Sequence, residues 1–156
     1  MNLEDAYAKL NIAKSNFKNS EYTEALLASQ KCLELCIKSF LDEFKINYKP
    51  EHYEINLDQK VLEAFSKFIE TAKRTDWDIE RYRKNIAKGL VLLNMLAPVR
   101  SKFDFGIKDI KQHKILAGFK EIFDSDFRDI ADKVVSLTNQ IYWVFDEINP
   151  KLKKVI

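Results

Sequence analysis

Glycine, proline, cysteine and histidine are all scarce in this chain of 156 residues, which holds three glycines, three prolines, two cysteines and two histidines. The glycines stand alone at positions 89, 106 and 118, so the sequence contains none of the glycine-rich loops that hold nucleotide phosphates. Few glycines and prolines, with abundant Lys, Glu, Leu, Ile and Ala, favour helices. The sequence therefore predicts an all-α fold, in which any bound nucleotide or RNA is held by side chains.

The few cysteines and histidines argue against metal chemistry. Cys32 and Cys36 are four residues apart on one predicted helix, where a disulfide would have unfavourable geometry. No histidine stands near them in a zinc-site spacing. His52 and His113 lie in predicted polar loops, and a solvent-exposed position is the default interpretation for both. We predict reduced thiols, no metal and no cofactor.

Membrane and secretory signals are also lacking. No apolar run approaches the roughly 20 residues that a membrane span needs. The first residues, Met1 to Ala6, are acidic where a signal peptide would be basic. We expect a soluble, cytoplasmic protein with no membrane partner, forming one domain over residues 1–156.

Apolar residues recur at three- and four-residue steps in five segments, which predicts an antiparallel bundle of about five helices. The first helix covers the stripe from Leu3 to Phe17. The second runs from about Glu21 to Lys45, with Ser20 as its N-cap. A third begins with a capping box at Asn56 and Gln59 and ends near Thr71. The fourth begins at Thr75-Asp76, with its stripe from Ile79 to Ala97, and the last runs from Ser125 or Asp126 to Asn149-Pro150.

A punctuated segment follows the fourth helix. We expect that helix to end at Pro98 and residues 99–119 to form a loop, because proline cannot continue a helix and glycine permits turns. The segment Arg100-Ser-Lys-Phe-Asp-Phe-Gly106 then combines an arginine, two aromatics and an aspartate. Residues 73–114 hold eleven Lys and Arg against five Asp and Glu, which could offer a basic face to an anion.

The chain resembles the HEPN family (higher eukaryotes and prokaryotes nucleotide-binding domains). The matching text is Glu24-Ala25-Leu26 followed by Lys31-Cys-Leu-Glu-Leu-Cys-Ile-Lys-Ser-Phe-Leu41 on the second helix. The fourth helix, ending in the Arg100 segment, looks like the family's arginine-containing motif, and the last helix is similar to its closing helix. This resemblance implies a HEPN-type bundle that engages RNA or a nucleotide.

One departure from the family pattern bears on catalysis. Active members cut RNA with an arginine, a polar residue and then a histidine four to six residues after the arginine. Arg100 and Ser101 match the first two, but Phe105 stands at the histidine position and cannot transfer a proton. The resemblance thus implies an RNA- or nucleotide-binding protein, or the partner of a nucleotidyltransferase-type protein in a toxin–antitoxin or defence module, without nuclease activity. The alternative is a metal-independent ribonuclease that uses Arg100 with Asp104 or His113.

The candidate binding residues each have a second interpretation. Arg100 suits phosphate through its planar fork, but it could equally cap its own helix and pair with Asp104. Trp77, Arg81, Lys84 and Lys88 share one helical face that could hold a nucleic-acid backbone and an unstacked base, yet such a stripe is more often a solvated face. Ser101 and Lys102 complete the candidate set. Phe103 and Phe105 are either stacking platforms or anchors of the loop.

Two expectations concern partners. Val91, Leu92 and Met95 add a second apolar face to the fourth helix, which is typical of a central helix or of a partner contact. We expect a homodimer through this helix and the Arg100 region, as in many family members. A different class of function, a tetratricopeptide-like adapter that binds peptides, is suggested by Glu21 to Ala25 in the first helical pair, although a second repeat is missing.

Overall fold

The computed structural model describes residues 2–48, 57–73, 75–104 and 127–155, with side chains except at 2, 57, 58, 97–104 and 155. The described residues form five helices, which confirms the predicted all-α fold. They are α1 (Asn2–Lys18), α2 (Tyr22–Glu43), α3 (Leu57–Ala72), α4 (Ile79–Asp104) and α5 (Phe127–Val155). The predicted capping residue Asn56, the start of the last helix at Ser125 or Asp126, both histidines and most of the predicted 99–119 loop lie outside these residues.

A tight turn joins α1 to α2. Ser20 has a φ of 62°. Its amide donates to the carbonyl of Phe17 at 3.0 Å, and the Glu21 amide donates to Asn16 at 2.8 Å. These two bonds are the Schellman pattern that closes a helix. Ser20 is therefore the end of α1, and the prediction that it caps α2 is wrong: Glu21 is the N-cap of α2, without a side-chain hydrogen bond.

Four helices form the bundle, with α2 and α5 as its central pair. Phe40 of α2 contacts Phe145 of α5 with ring centroids 5.8 Å apart. At the other end, Tyr22 contacts Phe127 at 5.9 Å, so the two helices run parallel. Helices α1 and α4 pack on opposite sides of this pair, each antiparallel to α5. The core contains the predicted stripes, including Leu10, Leu33, Ile37, Phe68, Ile86, Leu93, Val134, Ile141 and Ile148, all buried.

The short helix α3 packs across one end of the bundle. Its Phe68 lies 6.0 Å from the ring of Phe40 and 6.1 Å from that of Tyr82. Because these rings are buried, they fix the start of α4 against the end of α2.

Both long helices continue through a proline at which the sequence predicts an end. Helix α4 runs through Pro98 to Asp104, and α5 runs through Pro150 to Val155. Proline removes one backbone hydrogen bond, but its fixed φ is helical, so tertiary contacts can carry a helix past it. In α5 the compensation is visible, because Leu152 is fully buried and Lys151 donates to the hydroxyl of Tyr82 at 2.5 Å.

A polar ladder lies inside the bundle on α2. Lys38 Nζ and Glu34 Oε1 are 2.9 Å apart, and the two side chains are only 3% and 4% exposed. The Gln30 amide donates to the other oxygen of Glu34 at 3.4 Å. Because both charges are deeply buried, removing only one of them is expected to destabilise the fold.

Among the helices that the structure describes, none combines the length and the apolar composition that a membrane span requires.

Candidate functional site: the outer face of α4

Two lysines project from the side of α4 that faces away from the central pair. Lys84 and Lys88 are exposed and stand one turn apart. Neither forms an ion pair with any residue that the structure describes. Val91, on the same side, is 59% exposed. We call these three residues the outer face of α4. Unpaired ammonium groups on a rigid helix are suited to attract phosphate.

Arg81 belongs to the same stripe but is engaged by an acid. Its Nη2 atom lies 2.6 Å from Glu147 Oε2 on α5, and its guanidinium lies 5.0 Å from the ring centroid of Tyr82. The hydrogen bond to Glu147 raises the pKa of Arg81. Burial favours the neutral form of Glu147, but the hydrogen bond and charge of Arg81 outweigh it and hold the Glu147 pKa below its usual value. Arg81 thus links α4 to α5 as well as bordering the lysines.

Trp77 lies just before α4 and is half-buried. Its ring stacks against Phe68 of α3, with centroids 6.4 Å apart and planes 22° apart. Lys151 Nζ approaches the same ring to 5.9 Å. These contacts favour the structural interpretation of Trp77, as part of the aromatic cluster at the end of the bundle.

The Arg100 segment stands at the other end of α4. Arg100, Ser101, Lys102 and Asp104 all belong to its last turns, so the predicted loop at these positions is wrong, while their side chains lie outside the described set. Nineteen residues separate Arg81 from Arg100, a rise of about 28 Å along an α-helix. The candidate residues therefore do not form one compact site.

The helical register places the candidate residues at the end of α4 on different faces of that helix. Arg100 continues the series 82, 86, 89, 93 and 96, whose described members are buried. Lys102 follows Lys84 by eighteen residues, which is five turns, and so returns to the register of the outer face. His113 and Phe105 lie outside the described residues.

The second apolar face predicted for α4 is part of the core. Leu92 is 4% exposed and Met95 packs against the core, leaving only Val91 largely exposed. The apolar residues of this half of α4 are accounted for by its packing against both α2 and α5. They consequently give no support to self-association, and Val91 alone is too small a patch to argue for it.

The cysteines are free and buried. Burial, followed by the neighbouring Cys32 sulfur, raises the pKa of the Cys36 thiol well above its usual value. No cluster of three potential His, Cys, Asp or Glu metal ligands occurs among the residues that the structure describes. Such thiols are expected to be unreactive.

Sequence reasoning missed one cluster, an aromatic and acidic pocket between α1 and α5. It is lined by Leu3, Glu4, Tyr7, Tyr142 and Asp146. The sequence feature that indicates this cluster is the adjacent pair Tyr142 and Trp143. Neighbours on a helix point about 100° apart, so the two rings cannot both face the same core.

Comparison with known proteins gives the family. No curated protein and no solved structure matches the chain. A family model described as the HEPN domain matches residues 2–88, which include α1, α2, α3 and the start of α4 with Lys84 and Lys88. The match ends before Arg100, and it covers more than half of the chain. An all-α bundle and this match agree, and the chain belongs to the HEPN domain family.

Proposed function

We propose that this HEPN-domain protein binds RNA or a nucleotide through the outer face of α4 and does not cut RNA. The observation that carries the proposal is the exposed pair Lys84 and Lys88, which no described carboxylate neutralises. Membership of the family supports a nucleotide- or RNA-related function.

The spacing of the lysines suits an extended polyanion. One turn of helix separates them by a rise of about 6 Å, so two phosphates of one strand can be contacted together. Lys102 extends the same register toward the end of α4, with Arg100 and Ser101 beside it in sequence. Arg81 and Trp77 border the other end, where the ion pair with Glu147 reduces the charge that Arg81 offers.

A titration with labelled single-stranded RNA tests the proposal. Fluorescence anisotropy of the double variant Lys84→Ala/Lys88→Ala is compared with the wild type at several salt concentrations. Each lost phosphate contact reduces the slope of log K against log salt by about 0.7 for a single strand, so we expect a reduction of about 1.4. Lys14→Ala/Lys18→Ala is the matched control, because these lysines are also exposed and one turn apart, on the opposite side of the central pair.

A gain of binding provides the converse test. Val91→Lys adds a third cation to the outer face of α4, whereas Ile12→Lys adds the same charge at a 45% exposed position on α1. We expect tighter RNA binding and a slope steeper by about 0.7 for Val91→Lys only. Equal effects of both substitutions would mean that RNA responds to net charge alone, and the proposed face would be wrong.

Nuclease activity is the alternative. Asp104 stands four residues after Arg100 on α4, a spacing at which two opposite charges can pair on a helix. The proposal of binding without cleavage rests on Phe105, which stands at the histidine position and cannot transfer a proton. RNA cleavage in a metal chelator that disappears in Arg100→Ala would establish the ribonuclease instead.

We propose the wider role of the protein from its membership of the HEPN family. The protein would act as a homodimer or beside a nucleotidyltransferase-type partner in a toxin–antitoxin or defence module. Sedimentation over a range of concentrations tests the homodimer. The tetratricopeptide-like adapter is disfavoured, because the described part of α2, one of the two helices of such a unit, packs against α1, α4 and α5.

A further inference from the structure

A pocket opens between the start of α1 and the C-terminal half of α5, away from the outer face of α4. Its volume is about 280 Å³, and it is lined by Leu3, Glu4, Tyr7, Tyr142 and Asp146. Trp143 stands beside it. None of these residues belongs to the surface proposed for RNA.

Three aromatic rings meet at this opening. The ring centroid of Tyr7 lies 5.5 Å from that of Tyr142 and 6.0 Å from that of Trp143. Tyr142 and Trp143 meet edge to face at 5.1 Å. Tyr7 is 43% exposed and Trp143 is 48% exposed, whereas Tyr142 is buried at 5%. Half-exposed Tyr and Trp on rigid helices are typical of the central residues of protein interfaces.

The charge of the pocket is negative. Glu4 and Asp146 contribute two carboxylates, and no ion pair joins either of them to a described cation. Burial, with the charge of Asp146, raises the pKa of Tyr142 to about 12, so its hydroxyl stays neutral at physiological pH. Two unpaired carboxylates repel phosphate and attract a cation, which excludes nucleic acid as the occupant.

We propose that this pocket binds an arginine side chain of a partner protein. A guanidinium stacks on aromatic faces and can donate two parallel hydrogen bonds to a carboxylate, so one arginine uses both features of the pocket. Its hydrocarbon stem would cover Leu3 and the exposed edge of Tyr7. An ammonium group is compact and strongly hydrated, and it gains less from stacked rings.

Nuclear magnetic resonance of the indole N–H groups tests the proposal directly. The chain has two tryptophans, Trp77 and Trp143, at separate sites, so one indole signal reports on the pocket and the other serves as an internal control. Trp143→Phe assigns the signals. The probes are three capped tripeptides, Gly-Arg-Gly, Gly-Lys-Gly and Gly-citrulline-Gly; citrulline has the shape of arginine without its charge.

We expect the arginine peptide to shift the Trp143 signal saturably, with a dissociation constant on the order of millimolar, and to leave Trp77 unmoved. Asp146→Asn should weaken this binding about tenfold, because it removes a charge-assisted hydrogen bond. Tyr7→Ala should weaken it as well. Asp132→Asn is the matched control: it removes the same charge from an exposed position on the same helix and should change nothing.

Three results would overturn the proposal. They are equal shifts with the citrulline peptide, tighter binding of the lysine peptide, and no movement of the Trp143 signal at tens of millimolar arginine peptide. The RNA titration is independent of all three, so failure here leaves the proposed function standing.

Discussion

The buried pair Glu34–Lys38 supplies the sharpest test of what stabilises this bundle. The change is Lys38→Met, which keeps the length of the side chain but removes its charge. Glu34 is then left nearly fully buried without the ammonium that lies 2.9 Å from its carboxylate. Removing one partner of a buried ion pair costs about 3–5 kcal/mol, since the remaining charge stays in a medium that solvates it poorly.

A second substitution separates the effect of the lost contact from that of the buried charge that remains on Glu34. Glu34→Gln removes the charge and still offers an oxygen to the Gln30 amide, which now donates to Glu34. Adding it to Lys38→Met should therefore recover at least about 1 kcal/mol of the loss. Recovery by Glu34→Gln only in the presence of Lys38→Met would show that the two buried side chains are energetically coupled.

The assay is thermal and urea unfolding followed by circular dichroism. For a chain of this size, 3–5 kcal/mol corresponds to a fall in Tm of about 6–20 °C. The matched control is Lys67→Met: Lys67 and Glu63 have the same types and spacing on α3, but their side chains are 47% and 57% exposed. We expect that control to cost less than about 0.5 kcal/mol. Equal losses for Lys38→Met and Lys67→Met, or no recovery with Glu34→Gln, would refute the reasoning.

Three further predictions concern a turn, an interhelical ion pair and a thiol. Ser20→Gly should stabilise the fold by about 1 kcal/mol, measured by urea unfolding, because Ser20 holds a φ of 62° at which a side chain is strained. Arg81→Gln should cost no more than about 1 kcal/mol at neutral pH, since both charges are more than a third exposed. The lowered pKa of Glu147 stabilises the fold above the ordinary carboxyl range, so this cost should vanish in unfolding curves as the pH falls through the lowered pKa. Cys36 should resist alkylation at pH 8 in the folded protein and react fully in urea, as a thiol-specific reagent would record, because it is fully buried and its pKa is raised.

Hydrophobic periodicity was sufficient to predict the helices but not all their ends. The stripes from Leu3 to Phe17 and from Ile79 to Ala97 repeat at the helical period, so their residues occupy one face wherever the helix packs. Local chemistry alone predicts a helix end at Pro98 and at Pro150, but both helices continue past the proline. Around Pro150, the burial of Leu152 and the bond from Lys151 to Tyr82 outweigh that chemistry. Lys151 and Tyr82 are 69 positions apart, so no local sequence pattern contains their contact.

The candidate site likewise has features that the sequence could predict and features that depend on tertiary contacts. The exposure of Lys84 and Lys88 follows from their register opposite the core stripe, which the sequence displays. Arg81 pairs with Glu147, which is 66 positions away, and Trp77 stacks on Phe68 of another helix. These tertiary contacts distinguish two members of the predicted stripe from the two lysines. The pocket at Tyr7 and Tyr142 was missed for the same reason, because its rings come from opposite ends of the chain.

The packing order explains how surfaces of opposite charge can coexist on so small a domain. Helices α1 and α4 lie on either side of the central pair, and packed helices have axes 8–10 Å apart, so the carboxylates at the pocket and the lysines of the outer face are separated by more than one interhelical distance. At physiological salt the Debye length is about 8 Å, so the field of Glu4 and Asp146 is largely screened at Lys84 and Lys88. A polyanion on one side and a cationic side chain on the other would then bind without competing. Swapping the two partners is prevented by charge, because each surface repels the ligand of the other.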